Sequence, residues 1–171
     1  HPFSRNALGA ADWGGVIMNR HMSQDNKSGH PRYSSDIFEL ASAIVIQTSV
    51  NCVAMCPNNL DEMEDFQLEF LTKLPTTWDE TRYIDGYPTR YAVLARRTGN
   101  DWYVAGLNGT DKPMTLTLDL PMFTGKTVSL YTDNPRKKDE IVPSSVLKTL
   151  KVGKDGKAKV TIQPMGGIII K

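Results

Sequence analysis

The stretch GAADWGG puts a carboxylate, Asp12, directly before an indole, Trp13, with glycines on both sides. A carboxylate accepts hydrogen bonds from sugar hydroxyls, and an indole offers a broad flat face to a pyranose ring. The same pair also fits plainer roles, an Asp that turns a loop and a Trp that plugs a core. Arg5, in PFSRN, carries a rigid fork of donors that grips a carboxylate at two points, or else fixes a local structure. Glu39 follows Asp36 at the spacing of a capping box, which assigns it to a helix start rather than to acid–base work. His21 and His30 lie in a polar loop at no zinc-binding spacing. Cys52 and Cys56, in VNCVAMC, would fall one helical turn apart; that geometry suits a disulfide poorly, and they read as buried free thiols. The remaining acids are scattered or committed to helix caps, with none of the oxygen-dense loops that calcium requires.

The segments that must hold these side chains change character along the chain. Residues 6–31 are glycine-rich and polar, a long loop of the kind that often carries function. From Asp36 the pattern becomes helical: Ile37, Leu40, Ala41, Ile44 and Val45 recur on one face. VIQTSVNCVAM then fits either a continuing helix or a buried strand, with helix preferred. In NNLDEMEDFQLEFLTKLP, Asp61 with Glu64 matches a second capping box, and acids crowd the first turns where the helix dipole favours them. Met63, Phe66, Phe70, Leu71 and Leu74 form its apolar stripe, and Pro75 closes it.

Past Pro75 the period drops to two. RYAVLARR and DWYVAGLN read as strands around the turn Thr98-Gly99-Asn100. MTLTLDL, KTVSLYTD, SVLKTLKVG, KAKVTIQP and GGIIIK follow at regular spacing, separated by turn-forming clusters. Seven or so short strands of this kind predict an antiparallel sandwich, with the last two as a hairpin-like end. Tyr91 and Trp102 sit at strand positions where core packing is the expected role, and Trp78 is expected to pack where the helical part meets the strands.

Composition narrows the function classes. The net charge is +1, from 20 Lys/Arg and 19 Asp/Glu, so no overall field points to nucleic acid or an anionic membrane. Residues 1–75 hold five Lys/Arg against nine Asp/Glu, a balance of −4, and residues 76–171 carry +5. That shift, at a change from helical to strand period, predicts a domain boundary near Pro75. No stretch approaches the ~20 apolar residues needed to span a bilayer. The chain opens at His1 in mid-pattern, without an initiator methionine, as a fragment or a processed chain would.

PFSRN and GAADWGG, then FELASAIVIQTSVNCVAMCPNNL, then FLTKLPTTWDETRYIDGYPTRYAVLARRTGNDWYVAGLNG together resemble glycoside hydrolase family 97, the α-glucosidases and α-galactosidases of Bacteroides and relatives. The resemblance runs in order through the whole chain. It implies a C-terminal portion: residues 1–75 as the last unit of a catalytic (β/α)8 barrel, and residues 76–171 as an all-β antiparallel C-terminal sandwich. The missing partners would be an N-terminal super-sandwich and the rest of the barrel. The implied whole is a calcium-dependent exo-α-glycosidase acting on oligosaccharides or other α-glycosides, periplasmic or secreted. Its catalytic carboxylates and calcium ligands would lie upstream, leaving no catalytic or metal residue in this chain. Since barrel active sites sit at the C-terminal ends of strands, Asp12, Trp13 and Arg5 are the substrate-binding candidates. Where the family commonly reads M-D-Y-T-P, this chain has Ala11-Asp12-Trp13-Gly14-Gly15, a departure that bears on sugar specificity. The alternative is a non-catalytic carbohydrate-binding or structural β-module.

Overall fold

A computed structural model describes the chain apart from residues 1, 10, 16, 17 and 24, so His1, where the chain opens, lies outside the described residues. Four helices precede eight strands: α1 Arg5–Leu8, α2 Asp36–Val45, α3 Asn59–Glu62, α4 Asp65–Thr72, then β1 Glu80–Tyr87, β2 Tyr91–Thr98, β3 Asp101–Asn108, β4 Met114–Asp119, β5 Thr127–Asp133, β6 Ser145–Lys151, β7 Lys157–Ile162 and β8 Gly167–Ile170. The expected strands are present, and ETRYIDGY adds one more at the edge.

The sandwich is uneven. Six strands run in the order β1-β2-β3-β8-β5-β6, all antiparallel, and face a two-stranded sheet of β4 and β7. The last two strands are therefore not a hairpin. β7 pairs with β4 in the small sheet, while β8 crosses to the large one and fits between β3 and β5. Side-chain alternation explains the division: β7, KAKVTI, alternates exposed Lys and Thr with buried Ala, Val and Ile, whereas β8, GIII, is buried throughout.

A strand buried on both faces needs two cores. Between the sheets, Val93, Val104, Ile168 and Ile170 meet Leu118, Val160 and Ile162. On the other face, Ala92, Leu94, Ala105, Tyr131 and Ile169 pack against Ile37, Leu40, Ala41 and Ile44 of α2 and Phe70 of α4. The helical part thus forms a third layer on the large sheet rather than an appendage. Trp78 belongs to this second core, edge-on to Tyr103 at 5.4 Å and with the Arg96 guanidinium 4.5 Å from its ring centre. Trp102 lies against the inter-sheet core, with Arg82 4.6 Å from its ring centre.

Helix boundaries depart from the expected capping boxes. Ser35, not Asp36, caps α2, its hydroxyl accepting from the Phe38 amide at 3.0 Å. Asp36 is left free to pair with buried Arg32. The second apolar stripe is broken at Met63, whose backbone is extended; α4 begins afresh with Glu64 as cap and Gln67 completing the box. α2 stops at Val45, so VIQTSVNCVAM does not continue it. Cys52 is consequently exposed and Cys56 half-buried, both free, where a helical face would have hidden them. Among the described residues, no helix is long and apolar enough to cross a membrane.

Candidate functional site

The helical part contains a small piece of parallel β-structure. Trp13 and Asn51 form a parallel bridge: the Trp13 amide donates to the Val50 carbonyl and the Cys52 amide to the Trp13 carbonyl, both at 3.0 Å. Between the two segments the chain passes through α2. The two segments meet at this isolated bridge, parallel and on either side of α2 in the chain, and Gly14 and Gly15 directly follow Trp13. At Gly15, φ is +95°, and an added Cβ would come within 2.4 Å of the Ala54 nitrogen and the Cys52 carbonyl oxygen. Only glycine fits that close approach.

The long loop is more ordered than its composition suggests. Residues 20–22 pair with 30–32 as a short antiparallel finger, with Met22 donating to His30 and Arg32 to Arg20, both at 2.8 Å. Asp25 organises the tip, accepting from the hydroxyls of Ser23 and Ser28 and from the amides of Lys27 and Ser28. Those hydrogen bonds hold its carboxyl well below the usual range. The finger is rooted by Arg32, which is buried, donates to the Asn19 carbonyl at 3.1 Å and pairs with Asp36.

Between the finger and the start of α2 opens a groove of about 690 Å³. Gly14, Met22, His30, Tyr33, Phe38 and Glu39 are among the residues lining it, and carbon dominates its walls. Glu39 accepts a hydrogen bond from the Ser34 hydroxyl at the groove's edge. A smaller cleft of about 230 Å³ between α4 and the β5–β6 connection gathers Asp36, Glu62, Glu64, Asp139 and Glu140. Several of these acids are already engaged: Asp36 with Arg32, Glu62 with Asn26, Glu64 as the cap of α4, and Glu140 with the Lys137 amide.

The three sequence-predicted site residues are not brought together. Trp13 is 2 % exposed, its ring packed with Met18, Ala43 and Met63 and its indole donating to the Ser42 hydroxyl at 2.8 Å. It is a core residue without a free face for a sugar. Asp12, its neighbour, is exposed. Arg5 is exposed on α1 and makes a long contact, 3.4 Å, to the Gly9 carbonyl four residues on. Asn6, beside it, does more: its side chain donates to the Ile46 carbonyl and so ties α1 to the end of α2. Among the described residues, no three His, Cys, Asp or Glu side chains converge as metal ligands would.

Of the groove's residues, the sequence pattern gave His30 and Glu39 plain roles and did not mark out Met22, Tyr33 or Phe38. One signal was available: Phe38 is apolar yet falls off the α2 stripe of Ile37, Leu40, Ala41 and Ile44, where a residue serving only the core would not be placed.

The described chain is thus an antiparallel sandwich backed by helices, with one parallel bridge and an open groove in its helical part. Residues 77–171 match the family model described as glycosyl-hydrolase 97 C-terminal, oligomerisation, and the chain belongs to glycoside hydrolase family 97. It is 30 % identical over 179 residues to the retaining alpha-galactosidase of Bacteroides thetaiotaomicron, covering 99 % of this chain and 26 % of that protein. A probable retaining alpha-galactosidase of Streptomyces bingchenggensis is 30 % identical over 137 residues, 78 % of this chain and 20 % of that protein. Among solved structures, a beta-arabinopyranosidase superposes with a TM-score of 0.90 at 44 % identity, over 100 % of this chain and 26 % of its own. A family 97 enzyme from Pseudoalteromonas sp. strain K8 shares the fold at 22 % identity and a TM-score of 0.81, over 99 % of this chain and 27 % of its own. The chain therefore spans about a quarter of the length of these relatives.

Proposed function

We propose that this chain is the C-terminal part of an exo-glycosidase that removes a terminal α-galactosyl unit, or the β-L-arabinopyranosyl unit that matches it, with retention of configuration. The supporting observation is the 44 % identity, over the whole chain, to a beta-arabinopyranosidase, alongside likeness to a retaining alpha-galactosidase. The two activities are one stereochemical problem. β-L-Arabinopyranose has the ring configuration of α-D-galactopyranose and lacks only the hydroxymethyl group at C5. A site built for one accepts or rejects the other by the space it leaves at that carbon.

In this reading residues 1–75 form the end of the catalytic barrel and residues 76–171 the sandwich that braces it. The parallel pairing of Trp13 with Asn51 across α2 supports the first half, since β-α-β is the repeating unit of such a barrel. Retention requires a carboxylate nucleophile and a second carboxyl that acts first as acid and then as base. Both are assigned to the longer protein, as is any calcium ion, which as a bound cation would supply charge stabilisation. This chain's residues position: they hold the last strand ends in register and shape the groove beyond them. By itself the chain is expected to turn over no glycoside.

Kinetics on the intact enzyme test the reading. Nitrophenyl α-galactoside or β-L-arabinopyranoside should be hydrolysed well, the α-glucoside poorly, and NMR should show the first-formed sugar with the substrate's anomeric configuration. Preference for the glucoside, or inversion, would sink it.

A further inference from the structure

Gly14 has no structural need to be glycine. Its φ lies outside the left-handed range, and a Cβ built on it meets nothing within 4 Å. That contrasts with Gly15, which the backbone of Ala54 and Cys52 forces to be glycine. What the missing side chain at position 14 does is leave the groove open next to the Trp13 bridge. From the functional reading above we infer that this groove is a leaving-group subsite, holding the flat apolar face of the ring that departs when the terminal sugar is cleaved, and that Gly14 keeps it open.

Position comes first. The groove begins at Gly14, directly after the parallel bridge of Trp13 with Asn51, and the start of α2 also lines it, so it lies on the side where the bridged segment leads on toward the helix. Barrel enzymes hold their substrates on that face. Chemistry agrees with position. In this chain Tyr33 is 70 % exposed and Met22 52 %, and both line the groove with Phe38, a half-buried residue of α2. Aromatic and thioether side chains around a cleft suit the carbon-rich face of a pyranose or an aryl ring. His30 and Glu39 add polar groups at the rim that can meet ring hydroxyls. The groove's volume of about 690 Å³ accommodates a ring of either kind.

The test compares leaving groups on the intact enzyme with one glycone. α-Galactosyl fluoride has no ring to leave, nitrophenyl α-galactoside has an aryl ring, and melibiose has a sugar. Gly14→Leu fills the groove from one side, and Tyr33→Ala removes its opposite wall. Expected for Gly14→Leu is a fall of about tenfold or more in kcat/KM for the ring-bearing substrates relative to the fluoride. For Tyr33→Ala the relative fall should be about threefold to tenfold, the loss of one aromatic contact. A fall for only one ring-bearing substrate would identify which kind of ring the groove takes. Unchanged ratios in both variants would overturn the inference while leaving the assigned function standing. So would a Gly14→Leu enzyme with a lowered melting temperature and unchanged ratios, since another part of the protein would then fill the groove. If the wild-type enzyme cleaves none of the three, nor their arabinopyranosyl counterparts, the functional reading itself fails and takes this inference with it.

Discussion

Asp133 is the most constrained carboxylate described in the chain. It sits at the end of β5, 3 % exposed, and accepts from the Ser35 hydroxyl at 2.5 Å, the Gly167 amide at 2.9 Å and the Ile37 amide at 3.4 Å. One side chain thereby joins the cap of α2 to the start of β8. Burial pushes its pKa up to about 6; the three hydrogen bonds oppose that shift, and the Asp36 charge adds to it. Between about pH 4, where a free Asp titrates, and the raised value, the folded chain holds a proton that the unfolded chain has lost. Stability from this group therefore rises as the pH falls through that window and is lost as it climbs back toward neutrality. Melting temperatures measured at intervals from pH 7 to 4 should show this gain, and Asp133→Asn should remove it; an identical slope in both proteins would refute the assignment. Trp13 makes the second residue-scale case. Truncating it to Ala empties a packed site and removes the donor to the Ser42 hydroxyl, which keeps its own bond to the Glu39 carbonyl, so a loss of ~3–5 kcal/mol is expected in a denaturant titration. A Trp13→Ala chain as stable as wild type would mean that the indole is not the core residue described above.

At the scale of elements, the governing contact is α2 on the large sheet. Its tightest point is Gly167 at the start of β8, where a Cβ would meet the Ile37 carbonyl oxygen at 2.5 Å and the Phe38 Cα at 2.8 Å. Both are backbone atoms, which cannot swing aside as a side-chain tip can. Gly167→Ala should thus cost about 1–3 kcal/mol by forcing the helix outward, while Gly14→Ala, facing open space, should stay within about 0.5 kcal/mol of wild type. Equal effects at the two positions would show that the helix–sheet spacing is not set at Gly167. The sequence made the strands legible because β-branched residues at period two leave few other options. It made β1 hard to see, because ETRYIDGY is an edge strand with a bulge between Tyr83 and Asp85, and most of its side chains need no core. Helix starts were misjudged by a residue or more for a chemical reason: Ser35, Asp36, Asp61 and Glu64 can all accept an amide. Tertiary partners decide among them, Asp133 for Ser35 and Arg32 for Asp36. The burial of Trp13 was harder to read, since it depends on Ser42, Ala43 and Met63, about thirty to fifty positions further along the chain.

For the molecule as a whole, the division suggested by charge and period differs from the division of packing. The family match begins at residue 77, yet the sheet beyond it has a full apolar face, Ala92, Leu94, Ala105, Tyr131 and Ile169, covered by α2 and α4. Arg96 binds the layers further, donating to the Ile44 carbonyl at 3.4 Å near the end of α2; desolvation lowers its pKa only to about 10, so it stays cationic beside the helix's negative end. A chain cut to residues 76–171 should uncover that face. It is expected to bind a hydrophobic dye and to self-associate in light scattering, while the 171-residue chain does neither to the same extent. A monodisperse, dye-silent 76–171 would mean that the sandwich is self-sufficient and the helical layer merely leans on it.

The place of β8 has a consequence in time. β1, β2 and β3 can pair as they are made, and so can β5 and β6, but within the sheet the two sets are joined by β8, which pairs with β3 on one side and β5 on the other. During synthesis the chain carries two half-sheets with bare inner edges, and only the strand made after all the others splices them together. Unpaired edges of this kind recruit strands from neighbouring chains, and long-range pairing is slow to close. A nascent chain stalled before Gly167 should therefore be held by chaperones or aggregate, and release of residues 167–170 should set off the folding of the whole sheet in a single step.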